Sequence, residues 1–251
     1  MSVAREGRYE ARDHGVDRPW TSALVTDDGA WHDLDRRPDT ERAALVGRRV
    51  TVDADGRIAA VGALRRIDPL PLDAGPRRTE VEVVEVSLEM ARAAARAPVP
   101  PPPGTAVVPT RASVRFYRYL YDAVGAPWQW WDRKRWSDAR LADRLADPRV
   151  ELLVAVEHGT PVGYAELDRG EPGACELSYF GLVPEATGRG LGRWLLGEAI
   201  AAAWRDPALA RLWVHTCSLD GPAALPTYRR LGFVAYKHDR FIQVITTGGP
   251  S

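Results

Sequence analysis

Residues 177–204 read Leu-Ser-Tyr-Phe-Gly-Leu-Val-Pro-Glu-Ala-Thr-Gly-Arg-Gly-Leu-Gly-Arg-Trp-Leu-Leu-Gly-Glu-Ala-Ile-Ala-Ala-Ala-Trp. An apolar run stops at Pro184, glycines follow at every second position (Gly188, Gly190, Gly192), and a helical stripe of Leu191, Trp194, Leu195, Ala199 and Ala202 begins at once. The pattern predicts a strand, a glycine loop and a helix N-terminus in immediate succession. Glycine lets the backbone come close to a ligand, and the unpaired N–H groups of a first helical turn point outward with the positive end of the helix dipole. Such a junction suits an anion, above all a phosphate or pyrophosphate.

Working outward, Cys175 to Val183 reads as the strand that leads into this loop, and Glu151 to Glu157 and Pro161 to Asp168 as two strands around a His158-Gly159 turn. Upstream, Val114, Tyr117, Leu120, Tyr121 and Val124 fall at helical spacing within Ser113 to Val124, and Ser137 to Ala146 is a second helix ended by Asp147-Pro148. Downstream, the helix after the loop stops near Asp206-Pro207. Arg211 to Thr216 is then a strand, Ala223 to Leu231 a short helix, and Phe233 to Ile245 the last strand or strands. The order helix, helix, three strands, helix, strand, helix, strand defines an α/β domain with a mixed central sheet flanked by helices.

The run Ala97-Pro98-Val99-Pro100-Pro101-Pro102-Pro103-Gly104 cannot join a helix interior or a central strand. It divides the chain into an N-terminal appendage (1–97), a proline-rich linker (98–104) and the main domain (105–251). Within the appendage, Arg48 to Val52 and Arg57 to Leu64 flank an Asp55-Gly56 hairpin turn, and Thr79 to Met90 alternates as a third strand, with 79–90 available as an extra strand of the main domain. The first 40 residues are polar and weakly periodic. The expectation is a small β-rich appendage of unknown function, partly disordered at its start.

Lysine plus arginine and aspartate plus glutamate balance at 34 each over 251 residues, so no global field favours nucleic acid or an anionic membrane. Cys175 and Cys217 give neither a disulfide framework nor a close-spaced thiolate pair for zinc. The N-terminus lacks an apolar signal core, and no apolar stretch is long enough to span a bilayer. These features predict a cytoplasmic protein with no metal, no nucleic-acid partner and no membrane; a homodimer is an allowed assembly.

Spacing separates the phosphate-loop types. Arg193 stands where the third glycine of G-x-G-x-x-G would follow Gly188 and Gly190, and Leu195 where it would follow Gly190 and Gly192, so the dinucleotide fingerprint fails. Neither Lys134 nor Lys237 follows a glycine, which removes the nucleotide P-loop. The remaining pattern, Val183-Pro184-Glu185-x-x-Gly188-x-Gly190-x-Gly192 before a helix, resembles motif A of the GNAT (Gcn5-related N-acetyltransferase) superfamily. Ala224-Leu-Pro-Thr-Tyr228-Arg-Arg-Leu-Gly232-Phe233, about 40 residues on, is similar to that family's late Ala-x-x-x-Tyr-x-x-x-Gly-Phe signature. The resemblance spans roughly residues 105 to 245. Thr187 departs from it, standing where the family usually has Gln or Arg.

The resemblance implies a GNAT-type fold that holds the pyrophosphate of acetyl-CoA, the cosubstrate, on the backbone of Gly188, Arg189, Gly190, Leu191, Gly192 and Arg193. It implies an acyltransferase that moves an acetyl group to a primary amine of a small molecule by direct attack. The alternatives are a protein or peptide N-acetyltransferase, or a non-catalytic acyl-CoA sensor. An alkyl amine is mostly protonated at neutral pH, its model value being about 10.4, so a base must take its proton. By resemblance Glu176 takes that place, fourteen residues before Gly190, with Glu166 and His215 as rivals. Tyr228 takes the place of the acid that serves the leaving thiolate, and the backbone N–H of Leu182 or Val183 that of the oxyanion donor. Cys217 has no basic neighbour or helix N-terminus to activate it. Four tryptophans fall within residues 128–136 beside Asp132 and the basic run Arg133-Lys134-Arg135. Trp128, Trp131, Asp132 and Tyr121 are the candidate acceptor residues, aromatic walls with a carboxylate suiting a cationic amine.

Overall fold

The computed structural model describes residues 5–12, 21–25, 31–33, 45–52, 58–67 and 78–246. The chain divides into two compact units, one of residues 1–88, 216–219 and 235–251, the other of residues 89–215 and 220–234.

The first unit is built of strands. β1 (Arg5–Arg12), β2 (Thr21–Val25) and β3 (Trp31–Asp33) come from the polar, weakly periodic start of the chain. β4 (Arg48–Val52) and β5 (Ile58–Ile67) pair antiparallel with Val52 opposite Ile58, as a hairpin requires; the Asp55-Gly56 turn lies outside the described residues. β6 (Arg78–Ala91) begins and ends within a residue of the expected strand. The strand that closes the chain, β12 (Val234–Thr246), runs parallel to β5 and antiparallel to β1. Val46, Val50 and Val52 form a small core with Leu45 and Ile58 against it.

The second unit carries the glycine loop. Its strands are β7 (Thr105–Pro109), β8 (Val150–Glu157), β9 (Thr160–Asp168), β10 (Ala174–Leu182) and β11 (Arg211–Cys217), side by side in the order β11-β10-β9-β8-β7. All neighbours are antiparallel except β10 and β11, which are parallel, so the sheet is mixed as expected. β7 was not anticipated. It is a five-residue edge strand ending in proline and pairing only with β8, where a proline does not break a ladder.

Helices α1 (Val114–Gly125), α2 (Asp138–Ala146), α3 (Leu191–Ala203) and α4 (Ala224–Arg230) complete the unit. Ser113 and Ser137 start the first two as N-caps, each hydroxyl accepting from the amide three residues on, Phe116 N–H at 3.3 Å and Arg140 N–H at 3.2 Å. Because strand side chains alternate, β8 sends Leu152 and Val154 to one face and Ala155 to the other. On the first face Tyr117, Leu120, Tyr121 and Val124 of α1, with Leu141 of α2, pack on Leu152, Val154 and Tyr164. On the other, Leu191, Trp194 and Leu195 of α3 pack on Ala155 and Val162. Each fully buried Leu or Val contributes roughly 1.5–3 kcal/mol to holding the two layers on the sheet. The proline run follows the same face: Val99 packs against the α3 cluster, and Pro98 Cα lies 3.2 Å from where a Cβ on Gly197 would stand. Among the described residues no helix is long and apolar enough to cross a membrane.

Candidate active site

The site is organised by a change of pairing along β10. Its parallel ladder with β11 covers Ala174 to Arg211, Cys175 to Leu212 and Glu176 to Trp213, whereas its antiparallel ladder with β9 runs to Leu182. The β9 register shifts between Leu177 and Tyr179, which makes Ser178 the extra residue of a bulge, and a bulge bends and twists its strand. Past Glu176, therefore, β10 and β11 part, and among the described residues one edge of β10 has no strand partner there. The bulge also resets the alternation. Tyr179 and Gly181 face α1, while Phe180 and Leu182 face α3.

Sequence offered two backbone amides as oxyanion donors, and hydrogen bonding separates them. Val183 N–H donates to the Val162 carbonyl of β9 at 3.0 Å and is engaged. Amides alternate edges along an antiparallel strand, so that of Leu182 points to the opposite edge, into the opening beside β11.

At the end of β10, Pro184–Ala186 form a 3-10 turn closed by Thr187, whose N–H and hydroxyl both donate to the Pro184 carbonyl, at 3.2 and 2.8 Å. Thr187 thus stiffens the turn and does not reach toward a ligand. Gly188 (φ 73°) and Gly190 (φ 82°) follow in left-handed conformation, which L side chains resist. A Cβ on either would meet nothing within 4 Å, so torsion and ligand approach, and not crowding, call for glycine there. Gly190 is the N-cap of α3 and has no side chain to cap it; the first helical bond is Trp194 N–H to the Gly190 carbonyl at 3.3 Å. The amides of Leu191, Gly192 and Arg193 precede that bond and are left for an anion. Arg189 is spent elsewhere, its guanidinium bidentate on Glu157 at 3.0 and 2.5 Å. Arg193 is exposed and has no partner among the described residues.

Glu176 sits where β10 and β11 part. Its side chain is 25% exposed, and Oε1 lies 3.9 Å from His215 Nε2, the imidazole being 44% exposed. Burial raises the carboxyl above the ordinary glutamate value, against the pull of His215 and Ser178, with Asp168 adding a smaller upward push. Glu166 is placed differently. It is fully buried, accepts from the Tyr117 hydroxyl, and its Oε1 accepts from Arg133 Nη2 at 3.1 Å and Arg144 Nη2 at 2.9 Å. Arg144 also reaches Asp168 at 2.6 Å. A carboxylate so paired and so fully buried fastens α1, α2 and the Trp-rich segment to the sheet and presents no surface to an incoming amine.

Tyr228 of α4 is 5% exposed and stacks edge-on with Phe180 of β10 and Phe233, at centroid distances of 6.1 and 5.8 Å. Burial, and then the charge of Asp220, push its ionisation well above the ordinary phenol value, so it stays a neutral hydroxyl. Burial pushes the Cys175 thiol up to about 12, which makes Cys175 a poor nucleophile. Among the described residues no group of three or more His, Cys, Asp or Glu could hold a metal.

The Trp-rich segment folds as two 3-10 turns, Ala126–Trp128 and Arg133–Arg135. Arg133, read as part of a basic surface run, is buried under Trp136 and Tyr179, 3.8 and 5.0 Å from their ring centres. Tyr121 is a correction of the same kind. It is 2% exposed, accepts from Arg133 N–H at 3.3 Å, and burial pushes its phenol up to about 12, so it lies in the core and offers an acceptor no surface. Of the candidate acceptor aromatics, Trp128 and Trp131 are half-buried, as is Trp130, whose ring stands 5.1 Å from Tyr179. Asp132, 48% exposed, accepts from the Tyr179 hydroxyl at 3.1 Å. Sequence reasoning passed over Trp130, Tyr179 and Asp220. Trp130 had the same signal as its neighbours, whereas Tyr179 and Asp220 had none short of the tertiary fold.

This geometry defines an α/β protein in which two strands part at a carboxylate and the same strand runs on to a helix end without a side-chain cap. Residues 111–233 match the acetyltransferase (GNAT) family. The chain is 40% identical over 97 residues to an uncharacterized N-acetyltransferase of Mycobacterium tuberculosis and 38% identical over 101 residues to N-alpha-acetyltransferase RimI of the same organism. Each match takes in 39% of this chain, and the chain spans 61% of the length of each of these relatives. Mycothiol acetyltransferase of Mycobacterium avium is 34% identical over 126 residues, 41% of this chain and 38% of that protein. In fold, the chain is similar to a GCN5-related N-acetyltransferase from Sphaerobacter thermophilus, with a TM-score of 0.51 at 17% identity over 81% of this chain and 82% of the other.

Proposed function

We propose that the protein transfers an acetyl group from acetyl-CoA to the primary amine of a small molecule, by direct attack, in the cytoplasm. The observation that carries this reading is that one strand, β10, presents Glu176 where its ladder with β11 ends and delivers an uncapped helix N-terminus at its other end. The pyrophosphate would lie against the amides of Leu191, Gly192 and Arg193, with Arg193 as the free cation. That places the thioester in the opening between β10 and β11.

The amine attacks the thioester carbonyl carbon as its free base. As the C–N bond forms, Glu176 takes the amine proton directly or through water, and its raised pKa brings it closer to the operating pH. The tetrahedral oxyanion is held by Leu182 N–H. When the C–S bond breaks, the electron pair leaves with sulfur. Tyr228 serves that sulfur as a hydrogen-bond donor; a thiol ionises near 8.5, so a phenol held well above its ordinary 10 shares its proton more than it surrenders it. The identity to mycothiol acetyltransferase supports a small-molecule acceptor. The identity to RimI supports a second reading, acetylation of a protein N-terminus, by the same chemistry. Mass spectrometry of a mixed pool of small amines and peptides with free N-termini, incubated with the protein and acetyl-CoA, decides between them: the proposal expects the acetyl mass on small amines first.

A further inference from the structure

The turn ahead of α4 is held from the acceptor side. Trp130 Nε1–H points at Asp220 Oδ1, 3.5 Å away, and the six-membered ring of Trp128 lies 3.1 Å from where a Cβ on Gly221 would be. Trp130 itself has little freedom. Its ring is 5.4 Å from Tyr121 and 5.1 Å from Tyr179, its backbone N–H donates to the Gly125 carbonyl at 3.1 Å, and its side chain occupies the space a Cβ on Gly125 would need. Asp220 in turn lies close enough to Tyr228 for its charge to act on the phenol. A seated indole thus meets a carboxylate in the turn that leads into α4, the helix of Tyr228.

Building on the proposed transfer, we infer that Asp220 is a positioning residue: by accepting the Trp130 N–H it fixes the turn that carries Tyr228, so that acceptor wall and leaving-group hydroxyl keep one geometry. Asp220 does not touch the reacting atoms. What it fixes is the approach of the Tyr228 hydroxyl to the departing sulfur, where displacement by an ångström lowers turnover out of proportion to its size.

The substitutions Asp220→Ala, Asp220→Asn and Trp130→Phe separate this role from others, because asparagine still accepts a hydrogen bond and phenylalanine keeps the ring without the N–H. Turnover is read as thiol release with the fastest acceptor of an amine and peptide panel, and acetyl-CoA affinity by calorimetry. Asp220→Ala and Trp130→Phe should each lower kcat about tenfold with acetyl-CoA affinity unchanged, and the double variant should be no slower than either alone. Asp220→Asn should stay within about threefold of wild type. Equal losses in Asp220→Asn and Asp220→Ala that multiply with Trp130→Phe would overturn the inference, since Asp220 would then act through its charge. If wild type binds acetyl-CoA but releases thiol with no acceptor, the transfer reading fails and the inference with it. A variant that loses acetyl-CoA binding or unfolds early points to a merely structural role and counts against it.

Discussion

Glu176 Oε1 and His215 Nε2 stand 3.9 Å apart on the two strands whose pairing ends at Glu176 and Trp213. The imidazole lowers the pKa of a carboxyl that burial raises. A general base works only when deprotonated, so the acid limb of the pH–rate profile should lie above the ordinary glutamate range. Removing His215 removes a lowering influence. His215→Gln should therefore move that limb to higher pH, and Glu176→Gln should abolish it with about a hundredfold loss of kcat. A limb that moves to lower pH in His215→Gln contradicts the assignment.

Tyr228→Phe keeps the edge-on contacts with Phe180 and Phe233 and deletes only the hydroxyl. The fold and acetyl-CoA affinity should survive, while kcat drops by about a hundredfold, a loss of the kind seen when one preorganised donor is removed. Calorimetry beside single-turnover acetyl transfer checks both halves.

Arg189 lies between the two left-handed glycines and is clamped on Glu157 of β8. If that clamp braces the loop, Glu157→Gln should weaken acetyl-CoA binding by about two- to fivefold, although it removes a negative charge near an anion site. Tighter binding in this variant would mean that Glu157 competes with the phosphates for Arg189.

Glu166→Gln takes the carboxylate from the buried Arg133 guanidinium, leaving it only Asp132 at 3.7 Å, while the part-buried Arg144 keeps Asp168. Breaking a buried ion cluster on one side destabilises by roughly 3 kcal/mol, so the unfolding midpoint should fall by several degrees. At a temperature where the variant is folded, its acid limb should match wild type. A lost limb would make Glu166 the base.

Most elements of the second unit were legible because their signals are local. The helices expected from Ser113 and Ser137 start there, the His158-Gly159 turn joins β8 to β9 with φ of 48° and 82°, and the glycines fall between β10 and α3 as read. The unread features depend on tertiary structure. The bulge at Ser178 has no local mark, yet it decides which side chains of β10 face α1 and which face α3. Arg133 looks like a surface cation until Glu166 is brought beneath it. Val183 lost its place as a donor to a cross-strand carbonyl, and Asp220 meets Trp130 across 90 residues of chain.

The most direct test measures thiol release from acetyl-CoA with and without a panel of primary amines and N-terminal peptides, for wild type and Glu176→Gln in parallel. The account predicts amine-dependent release by wild type, and a variant that binds acetyl-CoA equally well but releases little thiol at neutral pH. Acetyl-CoA binding by both with no amine-dependent release by wild type would contradict it, and would make the cleft that of an acyl-CoA sensor.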